Sequence, residues 1–369
     1  MGSARLVAHE PDDVVEASPT RLRNSHLDVR FDDTGAVVSV RDLRFDRELV
    51  PAGRRCANLQ IAADHPVEYD AWDLEAWTAP SSLDLPDADS VTVVEQGPLV
   101  GSVAVSRHFG ASLVTQTFTL RAEEPRLDVT MDIDWAEDEK YLSIDFPLDV
   151  RSDTAACEVQ FGHVRRPTHA STSWDAAKFE VAAQRWVDLS ETGFGVAVLN
   201  DGRYGHSVQG GGIRVSLLRA PNYPDPTADR GRHRVTVSLL PHGPGLTEVL
   251  THAEALNTPL RVRKAITAGA GDTGDDSEPP APLVRVGDPR VGVSAVKLAD
   301  DGSGDLVVRL WEGAGDRVRT VLDLGMAARS ARRCNLFEEP YGDDHPEVTT
   351  NAVQIELRPF QLLTLRISR

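Results

Sequence analysis

The stretch that decides the fold is Leu113–Trp135, with the sequence LVTQTFTLRAEEPRLDVTMDIDW. Both halves place apolar residues at every second position, and the residues between the halves include Pro125. Successive side chains of a β-strand point to opposite faces, so a period of two predicts strands with one apolar face. We therefore expect these segments to be strands of an antiparallel sheet that buries one side.

The same alternation recurs along most of the chain, in short runs bounded by Gly, Pro, Asp or Asn. Only residues 246–256 place apolar side chains at helical spacing, over about three turns. Many short strands with almost no helices between them predict an all-β, antiparallel sandwich rather than a βαβ sheet. The further predicted strands are residues 27–31, 37–40, 90–94, 100–109, 142–146, 195–199, 212–218 and 234–240.

A change in composition at residues 267–282 predicts a domain boundary. This segment consists of small, acidic and proline residues, which cannot bury apolar surface and favour an exposed linker. A second set of predicted strands follows, at 291–298, 306–312, 318–322, 353–357 and 362–367. We therefore expect a leading segment at 1–17, a large β-sandwich at 18–266, the linker, and a small immunoglobulin-like β-sandwich at 283–369.

Composition limits the kind of ligand. The chain has 369 residues, with 57 acidic and 39 basic side chains and a net charge of −18. This charge argues against nucleic acid as a partner, because phosphate binding needs clustered Lys and Arg. No segment has the ~20 consecutive apolar residues of a membrane-spanning helix. Cys56, Cys157 and Cys334 show no metal-site spacing, so we expect buried free thiols in a reducing compartment.

The densest cluster of polar and aromatic residues is at 66–77, PVEYDAWDLEAW. Sugar sites favour such a mixture, because aromatic faces stack on pyranose rings and carboxylates accept hydrogen bonds from hydroxyls. The alternative is a turn whose Trp and Tyr cover the end of the sandwich while its acids face water. The sequence alone leaves both possibilities open.

A second candidate is the loop at 218–233, LRAPNYPDPTADRGRH, in which three prolines within six residues stiffen the backbone. Arg219 and Arg230 can donate hydrogen bonds to a hydroxyl or a carboxylate. The structural alternative is that these arginines pair with Asp225 and Asp229. At 200–206, Asn-Asp-Gly predicts a hairpin turn, which leaves Tyr204 and His206 unexplained.

The histidines do not predict a metal site. His163 and His169 lie six residues apart, which matches neither helical nor compact ligand spacing. His26 and Asp28 lie on one side of a predicted strand, without a third ligand beside them. We therefore expect no metal ligands in this chain.

The order of these segments resembles the C-terminal region of glycoside hydrolase family 38 α-mannosidases, in particular the cytosolic and bacterial branch. The resemblance extends over almost the whole chain. It is carried by residues 24–40, EYDAWD at 68–73, RWVDLS at 185–190, GVAVLND at 195–201, YGH at 204–206, LLRAP at 217–221, YPDP at 223–226, DRG at 229–231 and LRPF at 357–360.

The resemblance implies a large galactose-mutarotase-like sandwich followed by a small one, in a cytoplasmic protein. In that family, catalysis belongs to an N-terminal barrel that holds zinc and forms a covalent glycosyl-enzyme in a retaining mechanism. Neither the zinc motif nor the nucleophile motif occurs in this sequence, so we expect the chain alone to be inactive and to lack catalytic residues. Zinc would belong to the catalytic barrel, on which this region would pack.

The resemblance also implies that loops of this region contribute to the rim of the pocket for an α-mannoside or oligosaccharide. The family's Tyr-Asp-Ala-Trp-Asp segment and its Arg-Ala-Pro loop can be carried over residue by residue. The predicted substrate-binding residues are Tyr69, Asp70, Trp72, Asp73, Arg219, Tyr223, Asp225 and Arg230.

Two other functions compete with this interpretation. One is a stand-alone carbohydrate-binding module, which the cluster at 66–77 would also suit. The other is an aldose epimerase of mutarotase-like fold, which needs a histidine acid and a carboxylate base on one face of a sheet. His163, His169 and Glu180 are available for that chemistry, although their spacing does not select them.

Overall fold

The structure is a computed structural model that describes residues 13–261, 282–342 and 345–368. It divides into two compact units. Among the described residues, the first unit comprises 13–159 and 164–245, and the second comprises 160–163, 246–261 and the residues from 282 onward. The predicted linker at 267–282 lies outside the described residues except for Pro282. The predicted leading segment is described from residue 13, and a strand begins there at Glu16.

The first unit is built almost entirely of strands. One short helix, α1 (Ser173–Ala176), and a 3-10 turn at Ala79–Ser81 interrupt them. The strands are β1 (Glu16–Ser18), β2 (Arg21–Arg23), β3 (Leu27–Phe31), β4 (Val37–Asp42), β5 (Arg47–Glu48), β6 (Asn58–Ala63), β7 (Leu83–Asp84), β8 (Ser90–Gln96), β9 (Val100–Phe109), β10 (Ser112–Arg121), β11 (Leu127–Trp135), β12 (Lys140–Pro147), β13 (Thr154–Val159), β14 (Gly162–Pro167), β15 (Val181–Ala182), β16 (Trp186–Ser190), β17 (Gly195–Asn200), β18 (Gly205–Ser207), β19 (Gly212–Leu218) and β20 (Gly231–His242). The first two residues of β14 group with the second unit.

These strands form three antiparallel sheets. The largest has nine strands in the order β14-β13-β16-β17-β20-β11-β10-β9-β8. A six-stranded sheet has the order β15-β18-β19-β12-β6-β7, and a five-stranded sheet runs from β1 to β5 in sequence order. All three contribute to one continuous apolar core. The predicted all-β, antiparallel fold class is confirmed.

Residues 113–135 show how this core forms. Strands β10 and β11 pair so that Val114 lies opposite Ile133 and Phe118 opposite Val129. All four side chains are buried. The alternation of the two strands is thus in phase, and their apolar faces combine into one surface.

The second unit is a smaller β structure with its own core. It contains two four-stranded sheets, in the orders β21-β24-β27-β26 and β22-β23-β28-β25. The predicted helix at 246–256 is confirmed as α2 (Thr247–Asn257), and it groups with this unit. The strands are β21 (Val284–Val286), β22 (Val291–Leu298), β23 (Leu306–Glu312), β24 (Val318–Leu324), β25 (Ser330–Cys334), β26 (Val348–Thr349), β27 (Ala352–Leu357) and β28 (Leu362–Ser368).

Two simpler expectations can be compared with the structure. The three cysteines are free and buried, as predicted, and burial raises the pKa of the Cys157 thiol to about 11. Among the described residues, no helix has the length and apolar character that crossing a membrane requires.

Candidate functional site

The two candidate loops leave the same end of the six-stranded sheet. The aromatic loop, residues 64–82, follows β6, and the proline loop, residues 219–230, follows β19. Both strands are antiparallel neighbours of β12, with Lys140 opposite Ala63 and Leu142 opposite Leu218. The loops therefore emerge side by side, although about 150 residues of sequence separate them.

Arg219 ties the proline loop to the aromatic loop. Its Nε donates to Asp64 Oδ2 at 2.7 Å and its Nη2 to Asp64 Oδ1 at 3.1 Å, a bidentate ion pair. Nη2 also donates to the backbone carbonyls of Asp70, at 3.4 Å, and of Asp73. Asp64 is only 2% exposed. The guanidinium therefore fixes the backbone on which Tyr69 and Trp72 lie.

Asp70 makes the reciprocal connection. Its carboxylate Oδ2 accepts hydrogen bonds from the backbone N–H groups of Asn222, at 2.7 Å, and Tyr223, at 2.9 Å. Within the aromatic loop, the Tyr69 carbonyl accepts from the N–H groups of Trp72 and Asp73, both at 2.9 Å, which closes a tight turn. The two loops are thus held together by charge-assisted bonds in both directions.

The two loops, held together by these hydrogen bonds, expose aromatic side chains to solvent. Trp72 is 66% exposed, Tyr69 62% and Tyr223 68%, and Trp77 is exposed as well. The rings of Tyr69 and Trp72 meet edge to face, with centroids 6.5 Å apart. Trp72 is therefore not a core residue. A fixed backbone with exposed aromatic faces can stack on a sugar ring or pack against another protein surface.

The other predicted site residues have local partners. Asp225 accepts hydrogen bonds from the N–H and the hydroxyl of Thr227, at 2.9 and 2.8 Å, which lower the pKa of its carboxyl. Arg230 pairs with Asp138. The guanidinium groups of Arg219 and Arg230 pair with Asp64 and Asp138, so the alternative in which they pair with Asp225 and Asp229 is wrong. The Asp229 carboxylate instead accepts from the backbone N–H groups of Arg219 and Ala220, at 3.0 and 3.1 Å. Asp73 remains exposed.

Two neighbouring cavities adjoin the aromatic loop on the outer face of the six-stranded sheet. One, of about 460 Å³, is lined by Trp72, Glu180, Tyr204 and Arg219 among others. The other, of about 550 Å³, shares Phe179 and Glu180 with it. Sequence reasoning did not find these cavities, because their walls come from segments far apart in the chain.

The carboxylates that line the larger cavity are partly desolvated. Burial raises the pKa of Glu180, whose carboxylate accepts from Ser216 Oγ. Burial also raises the pKa of Asp145, and Arg214 lies 3.9 Å from its Oδ1. In the run 142–146, the polar residues Ser143 and Asp145 alternate with apolar ones. The charge of Asp145 was the available signal, and Asp145 pairs in register with Arg214.

The residues considered for epimerase chemistry belong to different units: His169 and Glu180 to the first, and His163 to the second. His169 lines the larger cavity together with Glu180. His163 belongs to the second unit, where its ring lies against Phe360 with centroids 5.1 Å apart.

Within the described residues, no group of three or more His, Cys, Asp or Glu side chains lies close enough together to hold a metal ion.

Comparison with known proteins identifies the family. Residues 22–227 match the glycosyl hydrolases family 38 C-terminal domain, and residues 290–365 match the glycosyl hydrolases family 38 C-terminal beta sandwich domain. Human alpha-mannosidase 2C1 is 35% identical over 98% of this chain, which corresponds to 35% of the human protein. Alpha-mannosidase G of Dictyostelium discoideum is 32% identical over 94% of this chain and 32% of its own length.

A solved structure shares the fold. An alpha-mannosidase from Enterococcus faecalis V583 superposes with a TM-score of 0.78 at 17% sequence identity, over 97% of this chain and 43% of that chain. The present chain spans about a third of the length of the curated relatives it matches. Both matched regions, in the order found here, are C-terminal domains of one family, and the chain therefore belongs to glycosyl hydrolase family 38.

Proposed function

We propose that this chain acts as the non-catalytic C-terminal region of a zinc-dependent, retaining α-mannosidase that hydrolyses terminal α-mannosides. Membership of family 38 and the names of its curated relatives support the mannosidase role. The observation that carries the proposal is the pair of mutually tied loops that present Tyr69, Trp72 and Tyr223. In this proposal they form part of the rim of the sugar pocket.

The residues of the two loops have two different roles in this proposal: some hold the loop backbones in place, and others contact the sugar. Arg219 and Asp70 hold the backbones in place, so their contribution to substrate binding is the position of their neighbours. Trp72 offers an exposed indole face for a pyranose ring, and Asp73 an exposed carboxylate that can accept from a sugar hydroxyl. Because the backbone is already fixed, little conformational entropy is lost when a sugar binds.

Bond cleavage is assigned to a separate N-terminal catalytic barrel, on which this region would pack. In this proposal zinc would be held by that barrel and would contact the mannose there. Among the described residues of the present chain, no group of three or more His, Cys, Asp or Glu side chains lies close enough together to hold a metal ion. A retaining mechanism needs two carboxyl groups on opposite sides of the glycosidic bond. The exposed aromatic residues of the loops are the surface that fits a sugar or the neighbouring domain. A cytoplasmic location is proposed as well, in line with three free, buried cysteines.

The first prediction is that the purified chain does not hydrolyse an aryl α-mannoside, with or without added zinc. The reason is that its loops offer stacking and hydrogen-bonding groups but no nucleophile paired with an acid across a bound sugar. Release of the aryl alcohol is measured by absorbance, with the full-length enzyme as positive control. Zinc-dependent turnover that persists through a second purification and follows the chain's elution profile would overturn the non-catalytic role.

The second prediction concerns the rim. In the full-length enzyme, Asp73→Asn should lower kcat/KM roughly ten- to a hundredfold, because a charge-assisted hydrogen bond contributes about 1.5–3 kcal/mol. Trp72→Ala should also lower kcat/KM, whereas it should change the stability of this chain little, since the indole is 66% exposed.

Trp174→Ala is the matched control, because Trp174 is 80% exposed and lies outside both loops. Its kcat/KM should equal that of the unmodified enzyme. If Asp73→Asn and Trp72→Ala also leave kcat/KM unchanged, the loops are not part of the sugar pocket.

One observation supports a second candidate function, an aldose epimerase. His169 and Glu180 line the same cavity, and burial raises the pKa of Glu180, as an acid–base role would require. Polarimetry of freshly dissolved α-mannose distinguishes this candidate. An epimerase would accelerate the change in optical rotation, and Glu180→Gln would abolish the acceleration.

A further inference from the structure

We propose that the second unit carries a carbohydrate-binding site of its own, centred on Trp311, which takes one neutral pyranose ring. The site is a cavity of about 350 Å³ between helix α2 and the sheet that contains β22 and β23. This volume is at the lower end of the range of small-molecule sites, roughly 300–1,000 Å³, so it suits a single sugar ring. Its lining includes Trp311, Leu250, Val293, Glu254 and Arg290.

The indole of Trp311 packs against the backbone of two glycines, Gly292 and Gly313. Trp311 is paired with Gly292 across the strands, and Gly313 lies two residues further on. A Cβ built on Gly292 would lie 2.4 Å from Trp311 Nε1, and one on Gly313 would lie 2.4 Å from Cζ3. The indole therefore covers both glycine backbones, and side chains at either position would lift it.

Aliphatic and aromatic groups complete the apolar part of the site. Leu250 of α2 is buried, whereas Val293 is 44% exposed. Outside the cavity lining, the ring of Phe161 meets the indole at 71°, with centroids 6.0 Å apart, and limits its movement. The arrangement is an immobilised indole beside a small apolar surface. The apolar face of a pyranose packs well on such a platform.

The polar groups of the cavity fit hydroxyls better than anions. Arg290 is held by Asp288, through Nε at 3.0 Å and Nη2 at 2.6 Å, and by Asp316, through Nη1 at 2.6 Å. These two carboxylates outweigh the single positive charge of the guanidinium, and Glu254, which also lines the cavity, adds a third negative charge. This net negative charge disfavours a phosphate or carboxylate ligand. The hydroxyls of a neutral sugar, by contrast, can donate hydrogen bonds to the Glu254 carboxylate.

This site is independent of the loops of the first unit. Only the choice of a mannoside as the first probe rests on the proposed function. The experiment uses the chain labelled with 5-fluorotryptophan, in which the six tryptophans each give a ¹⁹F resonance. Trp311→Phe assigns the resonance of Trp311, and Trp72→Phe that of Trp72. Methyl α-mannoside, methyl α-glucoside and methyl α-galactoside are titrated, with tetramethylammonium as a cationic comparison.

We expect the Trp311 resonance to shift saturably with at least one sugar, with a dissociation constant of about 1 mM for a single stacked ring. Glu254→Gln should weaken this binding at least threefold, and Trp311→Ala should abolish it in a parallel calorimetric titration. Glu248→Gln, on the same helix but outside the cavity lining, should leave it unchanged. If Trp311→Ala does not fold, the proposal is judged on two other measurements: the shift of the Trp311 resonance in the unmodified chain and the affinity of Glu254→Gln for the sugar.

Three results would overturn the proposal. The first is that the Trp311 resonance does not shift with any of the sugars at a concentration about fifty times the expected dissociation constant. The second is that only tetramethylammonium shifts this resonance. The third is that Glu254→Gln and Trp311→Ala bind the sugar as tightly as the unmodified chain. A shift confined to Trp72 would overturn this proposal while supporting the rim of the first unit, so the two failures are distinguishable.

Discussion

Replacing Arg219 with methionine should lower the free energy of unfolding of the first unit by about 3–5 kcal/mol, because the substitution leaves a buried carboxylate without its countercharge. Asp64 is 2% exposed, and both of its oxygens accept from the Arg219 guanidinium. The same substitution removes the donor to the carbonyls of Asp70 and Asp73. Urea denaturation measures the loss, and limited proteolysis should show earlier cleavage within residues 66–77.

Arg230→Met is the matched control. Arg230 lies in the same loop and also pairs with an aspartate, but the side chains of Arg230 and Asp138 are 44% and 42% exposed. An exposed ion pair contributes at most about 1 kcal/mol. Asp64→Leu combined with Arg219→Met should recover much of the loss, since no charge is then left buried. Equal and small losses in Arg219→Met and Arg230→Met would show that Asp64 and Arg219 do not form a buried clamp.

The strands were predictable because their signal is local. In β10 and β11 each buried residue is followed by a more exposed one over most of the strand, so the period of two is visible without any knowledge of the partner strand. Helix α2 was found by the same argument, because Val249, Leu250 and Ala253 face the interior at helical spacing. Helix α1, of four residues, is too short for a periodic pattern to appear.

The partners of the site residues were not predictable, because they depend on which strands are neighbours. The Arg219 guanidinium meets Asp64 across 155 residues of sequence and does not pair with the nearby candidates Asp225 and Asp229. The pairing of Asp145 with Arg214 follows from the register of β12 and β19, which no local pattern specifies. The sequence identified the aromatic cluster at 66–77, whereas its exposure became clear only from the structure.

Acidification from pH 7 to pH 4 should reduce the free energy of unfolding by about 3 kcal/mol through His206 alone. This side chain is fully buried in β18, where its Nδ1 lies 3.1 Å from the Tyr204 carbonyl oxygen. Burial lowers the pKa of His206 from 6.5 to about 4. Between these two pH values the unfolded chain binds a proton that the folded chain excludes. The free energy of unfolding therefore decreases as the pH is lowered from 6.5 to 4.

The expected consequence is loss of one edge of the site. His206 pairs with Val181 on β15 and with Val215 on β19, so its protonation opposes the pairing that holds the segment next to Glu180. Glu180 and Asp145 act in the opposite direction, because burial raises their pKa values and their protonation favours the folded state. His206→Gln isolates the histidine: the free energy of unfolding of this variant, measured in urea at pH 7, 6, 5 and 4, should lack the component that weakens the unmodified chain below pH 6.5. Parallel pH profiles for the two proteins would mean that His206 is protonated as easily in the folded chain as in the unfolded one.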